Sequence, residues 1–245
     1  METDEPTAYA DLLRCLNIYK GMDEDRRNAR VNAERLKKAL QECEVVEREE
    51  LQVKARVVDH ENHVDELNKL NQEQRNLFDV TLDIIRAVEE DSAKNMKLFV
   101  SGTAGVGKTF VIKCIADAVE LKYGCSDDAF SQPAVLLAAP TGLAAISIQG
   151  QTLHSLLGLT VKEGGEAVYE ALTSEERDLR RQLFRNVKLI IIDEVSMIGS
   201  IGMAKISNRL REIGDPKKAF GGFNVMMFGD LMQLPPVRQV PAYQV

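Results

Sequence analysis

The spacing of apolar residues changes near residue 66 of this chain. Beyond it, a first segment carries mostly apolar side chains at the three- and four-residue intervals that place them on one helix face. These positions are Leu77, Phe78, Thr81, Ile84, Ile85 and Val88. Short apolar runs of strand length follow at residues 97–100, 134–139, 189–192 and 225–228. Strands buried on both faces of a parallel sheet have this composition. The pattern therefore predicts a doubly wound α/β domain with its site at the carboxyl ends of the strands.

Residues 22–66 have a different character, because they are dense in charge and poor in glycine and proline. They predict one or two exposed helices, and we divide the chain into a charged helical extension (1–65) and a P-loop domain (66–245). A partner-binding coiled segment is one interpretation of the extension, and a solvated helical lead-in is the favoured one. His60 and His63 lie one turn apart among acidic residues, where an exposed helix surface explains them better than metal binding.

Charge and cysteine content narrow the function classes. The net charge of −7 divides into −5 for residues 1–70 (12 basic, 17 acidic) and −2 for the remainder (19 basic, 21 acidic). The domain is thus nearly neutral, and we expect local contacts with nucleic acid and no broad basic patch. The cysteines Cys15, Cys43, Cys114 and Cys125 form no CxxC pair, so they suggest neither a zinc site nor a disulfide framework. With no apolar run long enough to span a bilayer and no targeting signal, we expect a soluble intracellular protein.

A phosphate-binding loop follows the first predicted strand. The sequence GTAGVGKT at 102–109 fits the pattern G-x-x-x-x-G-K-[ST] at every fixed position and leads into a helical pattern. Its members are Gly102, Thr103, Ala104, Gly105, Val106, Gly107, Lys108 and Thr109. Backbone N–H groups of such a loop point at phosphate oxygens, beside the positive end of the following helix. We expect Lys108 to reach the β- and γ-phosphates of ATP, and Thr109 to offer its hydroxyl to Mg²⁺.

Two adjacent acids end the apolar run at 189–192, and these are Asp193 and Glu194. A parallel strand delivers its terminal carboxylates to the sheet edge that carries the phosphate loop. Asp193 is expected to hold Mg²⁺ and Glu194 to orient or deprotonate the attacking water. The two motifs together favour a RecA-like P-loop ATPase over a glycine-rich structural turn.

Four stretches carry a more specific likeness. They are LNQEQ at 70–74, APTGLAA at 139–145 running on to GQTLH at 150–154, DEVSM at 193–197, and FGG at 220–222 followed by GDLMQLPPV at 229–237. In this order they resemble the motifs of the petite-integration-frequency (PIF) family of DNA helicases, over residues 70–238. The resemblance implies a superfamily-one motor that uses ATP to move 5′ to 3′ on single-stranded DNA. It also implies roles in DNA repair, recombination and genome maintenance, and hence work in the nucleus.

The resemblance also implies roles for individual residues of the ATP site. Gln74 would contact the adenine edge, although Asn71 and Gln74 also have the spacing of a capping box at a helix start. Gln233 would sense the γ-phosphate and link it to the DNA site, the alternative being a loop glutamine bonded to backbone.

Three residues are candidates for DNA contact. Thr141 and Gly142 open a predicted helix after a strand, so they could grip a DNA phosphate, or Thr141 could simply cap the helix. His154 follows Thr152, which could start a short helix. A packed or capping histidine and a DNA contact are equally good interpretations of His154.

In the PIF family, a second motor domain supplies arginines to the γ-phosphate and the opposite wall of the DNA channel. Since such an arginine is worth about 10³ to 10⁵ in rate, we expect these 245 residues alone to hydrolyse ATP very slowly and to unwind nothing. A RecD-type helicase and a non-catalytic nucleotide- or partner-binding remnant are the alternatives. A small-molecule kinase would not need the stretch at 229–237.

Overall fold

A computed structural model describes residues 56–90, 95–124, 132–159, 169–233, 236 and 240–242 of the chain. The predicted extension up to residue 55 lies outside this part, as do Cys15, Cys43 and Cys125. All described residues belong to one compact unit, Val53–Val245. Among them, no helix combines the length and hydrophobicity that crossing a bilayer requires.

Helices and strands alternate along the described chain. The helices are α1 (His60–Asn68), α2 (Gln72–Glu90), α3 (Lys108–Tyr123), α4 (Gly142–Ser147), α5 (Leu153–Leu157), α6 (Ser174–Leu183) and α7 (Ser200–Ile213). Short 3₁₀ turns lie at Phe184–Asn186, Val195–Met197 and Ala219–Gly222. The strands are β1 (Lys97–Ser101), β2 (Val135–Ala139), β3 (Gln151–Thr152), β4 (Leu189–Ile192) and β5 (Val225–Gly229).

The five strands form one parallel sheet in the order β1-β5-β4-β2-β3. Successive residues of the central strands face opposite sides. Leu137 and Ile191 join a core cluster with α2 and α3, whereas Leu136 and Ile190 join a second cluster with α5 and α7. This period-two alternation buries both faces of the sheet. The predicted doubly wound α/β fold is therefore confirmed.

The four predicted strands are all present, with two differences from expectation. β1 is not buried on both faces, since its residues are exposed or half-buried, and it lies at one edge of the described sheet. β3 was not predicted, because it consists of two residues paired with the end of β2. Two residues are too short to show an apolar period.

The predicted helix face at residues 77–88 is confirmed on α2, where Phe78, Thr81 and Ile85 are buried. The expectation for His63 was wrong. His60 is exposed, but His63 is only 6% exposed, and burial lowers the pKa of its imidazole. The reason is that α1 packs against α3. The predicted domain boundary at residue 66 falls within α1.

The FGG sequence at 220–222 has a structural explanation. Phe220, Gly221 and Gly222 all have positive φ, at 52°, 66° and 80°, in the turn that precedes β5. A Cβ at Gly221 would lie 1.9 Å from the carbonyl oxygen of Leu210, so that α7 and this turn are packed backbone against backbone. Only glycine allows both the backbone conformation and the close approach.

We expect Gly221→Ala to lower the free energy of unfolding by about 2–5 kcal/mol, from overpacking and left-handed backbone strain together. Urea denaturation of the variant and of wild type measures the change. Gly142→Ala is the matched control, because a Cβ there meets no atom within 4 Å. Equal unfolding midpoints for Gly221→Ala and wild type would contradict the close packing of α7 on this turn.

Candidate nucleotide-binding site

The carboxyl ends of β1, β5 and β4 lie side by side at one edge of the sheet. Ser101 is in register with Gly229, and the backbone N–H of Gly102 donates to the carbonyl of Gly229 at 3.1 Å. Ile192 of β4 is in register with Met227 of β5. The phosphate loop, the acids after β4 and the acid after β5 therefore leave the sheet at neighbouring positions.

The loop at 102–107 curls as the glycine pattern requires. Gly105 and Gly107 have φ values of 79° and 84°, in the left-handed region that favours glycine. Gly107 is the N-cap of α3, and no side chain caps this helix start. The first N–H groups of a helix have no partner within the helix, and the helix dipole places positive charge there. The start of α3 is thus built to accept an anion.

Lys108 is the first residue of α3 and folds back over the loop. Its Nζ donates to the carbonyl oxygens of Gly102 at 2.7 Å and Thr103 at 3.0 Å. An ammonium group has three donors, so these two contacts leave one. The side chain is held above the loop, where its charge also acts on the acids after β4. Thr109 follows on the first turn of α3 and is half-buried.

Asp193 and Glu194 occupy different environments at the end of β4. Asp193 is 4% exposed, and its Oδ1 accepts the backbone N–H of Glu194 at 2.9 Å. Burial raises the pKa of Asp193, while that hydrogen bond and the charge of Lys108 oppose the rise. The pKa of Glu194 is raised by burial first and then by the negative charge of Asp193. The charge of Lys108 lowers this pKa, and the charge of Asp230 raises it further. Several carboxylates thus crowd one ammonium, and such a cluster fits a divalent cation.

Asp230 is a site residue to which the sequence analysis gave no role. It is 4% exposed and follows β5, as Asp193 follows β4. Its Oδ1 accepts the backbone N–H of Met232 at 3.0 Å, and its Oδ2 accepts Nε2 of Gln233 at 3.1 Å. The side chain of Gln233 therefore bonds a carboxylate, whereas the sequence alternative was a bond to backbone. An acid directly after a buried strand was the signal that could have identified Asp230.

Gln74 makes both the capping contacts and a contact with the loop. The backbone N–H of Asn71 donates to Oε1 of Gln74 at 3.1 Å, and that of Gln74 donates to Oδ1 of Asn71 at 2.8 Å. Nε2 of Gln74 also donates to the carbonyl of Val106 at 3.0 Å. A side-chain amide offers two N–H groups and two lone pairs on oxygen. Gln74 therefore keeps one donor and one acceptor beside the loop.

Thr141, Gly142 and His154 lie at the same sheet edge but after β2 and β3, beyond β4. Thr141 is the N-cap of α4, and its Oγ1 accepts the N–H of Ala144 at 3.3 Å. His154 is exposed on α5, which Thr152 caps. Partial desolvation of the ring, and then the charge of Lys205, lowers the pKa of His154. Threonine side chains thus cap both α4 and α5, as the alternative interpretation expected. Gly142 and His154 are nevertheless exposed to solvent.

This geometry can be compared with known proteins. The family model described as PIF1-like helicase matches residues 69–244. The chain belongs to the PIF1-like helicase family. The match covers the stretch in which the sequence resembles PIF helicases, so that prediction is confirmed. The loop at 102–109 lies within the matched residues.

Individual relatives agree with the family match. The chain is 31% identical over 171 residues to the ATP-dependent DNA helicase RRM3 of Saccharomyces cerevisiae. This match covers 68% of this chain and 22% of RRM3. The crystal structure of Pif1 helicase from Candida albicans matches with a TM-score of 0.54 and 28% identity over 71% of this chain and 36% of that one. Bacteroides Pif1 bound to single-stranded DNA matches with a TM-score of 0.50 and 33% identity over 69% and 34%. The chain thus spans between about a fifth and a third of the length of these relatives.

Proposed function

We propose that this chain is the first motor domain of an ATP-dependent 5′ to 3′ DNA helicase, which couples ATP hydrolysis to movement on single-stranded DNA. One observation carries the proposal. The phosphate loop, the acids Asp193 and Glu194, and the bonded pair Asp230 and Gln233 follow three neighbouring strands of the sheet. A phosphoryl-transfer site needs a phosphate cradle, acids for a metal and water, and a polar sensor in this proximity.

ATP is held by the loop in this proposal. Backbone N–H groups of the loop and the start of α3 face the phosphates, and Nζ of Lys108 exchanges its bonds to the loop carbonyls for phosphate oxygens. The free donor and acceptor of Gln74 suit the adenine edge, which presents one of each. The contact of Gln74 with Val106 supports this role, because it holds the amide beside the loop.

Thr109 and Asp193 would hold Mg²⁺, and the crowding of carboxylates near Lys108 fits such an ion. When bound, Mg²⁺ neutralises phosphate charge that develops during transfer. The protein's own part lies in Glu194 and Gln233. Glu194 orients the attacking water and accepts its proton, and Gln233, positioned by Asp230, contacts the γ-phosphate.

DNA would lie along the same sheet edge, beyond β4. Thr141 and Gly142 present a helix start that can receive a DNA phosphate, and His154 presents an exposed ring from α5. Bacteroides Pif1, a structure similar to this chain, was crystallised with single-stranded DNA. The division into an extension at 1–65 and a motor domain at 66–245, and work in repair, recombination and telomere maintenance in the nucleus, are part of this proposal.

ATP hydrolysis with and without single-stranded DNA tests the proposal. The 245-residue chain is compared with a longer product of the same gene, because this chain spans only 22% of RRM3. We expect slow turnover by the chain alone, and DNA-stimulated turnover in the longer product, where an arginine can reach the γ-phosphate. Absence of hydrolysis from both would contradict the helicase proposal and favour a non-catalytic remnant. Robust DNA-stimulated turnover by the chain alone would contradict the predicted need for that arginine.

A further inference from the structure

A second group of potential metal ligands lies where α1 packs against α3. His63 and Glu66 are on α1, and Asp117 is on α3. One ligand atom from each side chain can be chosen so that the three atoms lie within 4.8 Å of one another. Two ligand atoms that each lie about 2.0–2.2 Å from one ion are at most about 4.4 Å apart, so the three side chains need at most a small movement to share an ion.

His63 points to a missing partner in this group. The residue is 6% exposed, and its Nδ1 has no hydrogen-bond partner among the described residues. A buried polar atom without a partner costs about 1–3 kcal/mol, so structures seldom keep one unless something binds it. Neutral imidazole nitrogen is also the commonest metal ligand in proteins.

The carboxylates leave room for an ion beside an existing contact. Nε of Arg56 donates to Oδ1 of Asp117 and forms an ion pair with it. That contact occupies one oxygen of Asp117, so Oδ2 remains to bind an ion. Glu66 is half-buried, so the group meets solvent at this side chain, whereas His63 and Asp117 are buried. Two carboxylates and one guanidinium leave a net negative charge that favours a cation.

We propose that His63, Glu66 and Asp117 form a zinc site that fastens α1 to α3. One imidazole nitrogen and two carboxylate oxygens suit Zn²⁺, and water completes the four ligands that this ion prefers. Mg²⁺ fits less well, because it prefers oxygen ligands at octahedral geometry.

The zinc site is separate from the nucleotide site. Asp117 follows Lys108 by nine residues (117 − 108) on the same helix, or about 14 Å at the usual rise per residue. α3 starts at the phosphate loop, and α1 ends shortly before Asn71 and Gln74. Zinc would therefore connect α3, which begins at the phosphate loop, to α1, which leads into the segment that carries Gln74. The proposal does not depend on which reaction the nucleotide site carries out.

Calorimetric titration of the EDTA-treated 245-residue chain with ZnCl₂, in an excess of Mg²⁺, tests the proposal. We expect about one Zn²⁺ per chain, and affinity at least about tenfold weaker in His63→Ala and Glu66→Gln. The matched controls are His60→Ala and Glu61→Gln, because both residues are exposed on α1. Zinc should also raise the thermal unfolding midpoint of wild type and leave that of His63→Ala nearly unchanged.

The nucleotide site provides a further control. Lys108→Ala and Asp193→Asn should bind zinc as wild type does. Glu66→Gln keeps the proposal testable if His63→Ala does not fold, because Glu66 is only partly buried. Zinc binding that is unchanged in Glu66→Gln, lost equally in His60→Ala, lost in Asp193→Asn, or absent from wild type would overturn the proposal.

Discussion

ATP hydrolysis by the Glu194→Gln variant should be about 10²- to 10⁴-fold slower than by wild type, because the amide cannot accept a proton from the attacking water. The substitution conserves shape, and it removes one of the negative charges that crowd Asp193 and Asp230. We therefore expect ATP affinity to be retained or slightly increased. Single-turnover hydrolysis with the protein in excess over labelled ATP measures even a slow rate.

The control for this experiment is Glu175→Gln, since Glu175 is exposed on the first turn of α6. Its hydrolysis rate should equal that of wild type. If Glu194→Gln hydrolyses ATP at the wild-type rate while binding it normally, another group activates the water, and the proposed role of Glu194 is wrong.

The Lys108→Ala variant should bind ATP roughly 30-fold to several thousandfold more weakly than wild type. This range corresponds to the loss of about 2–5 kcal/mol when one partner of a close charge pair is removed. The free protein should be little affected, since the loop carbonyls that Lys108 contacts belong to half-exposed or exposed residues and can bond water.

Lys113→Ala is the matched control, because this half-buried lysine lies on the same helix away from the loop. Both variants should unfold at nearly the wild-type temperature. Equal ATP affinity for Lys108→Ala and wild type would mean that the loop does not hold the phosphates through this side chain.

The sheet was predictable because composition and burial agree along its central strands. β4 and the two strands that flank it carry long apolar side chains on both faces, and such runs have few alternatives to a buried strand. β1 has a similar apolar composition but lies at the edge of the described sheet, so its burial was overestimated. The order of strands depends on contacts between distant segments, which the local sequence pattern does not contain. The two residues of β3 pair only because the chain returns beside β2.

The site was predictable where a local motif dictates the backbone. The glycines at 105 and 107 adopt the left-handed conformation that the loop pattern requires. The bond between Gln233 and Asp230, and that between Gln74 and Val106, depend on how the segments pack. His63 was misjudged for the same reason. Its burial comes from α3, and Asp117 lies 54 positions further along the chain (117 − 63).

Calorimetric titration of ATP into the wild-type chain, with and without Mg²⁺, tests most directly the claim that these strand ends form an ATP site. We expect saturable binding of about one nucleotide per chain that is strengthened by Mg²⁺. A folded chain that binds no ATP at millimolar concentration, or binds it equally well without the metal, would contradict the account.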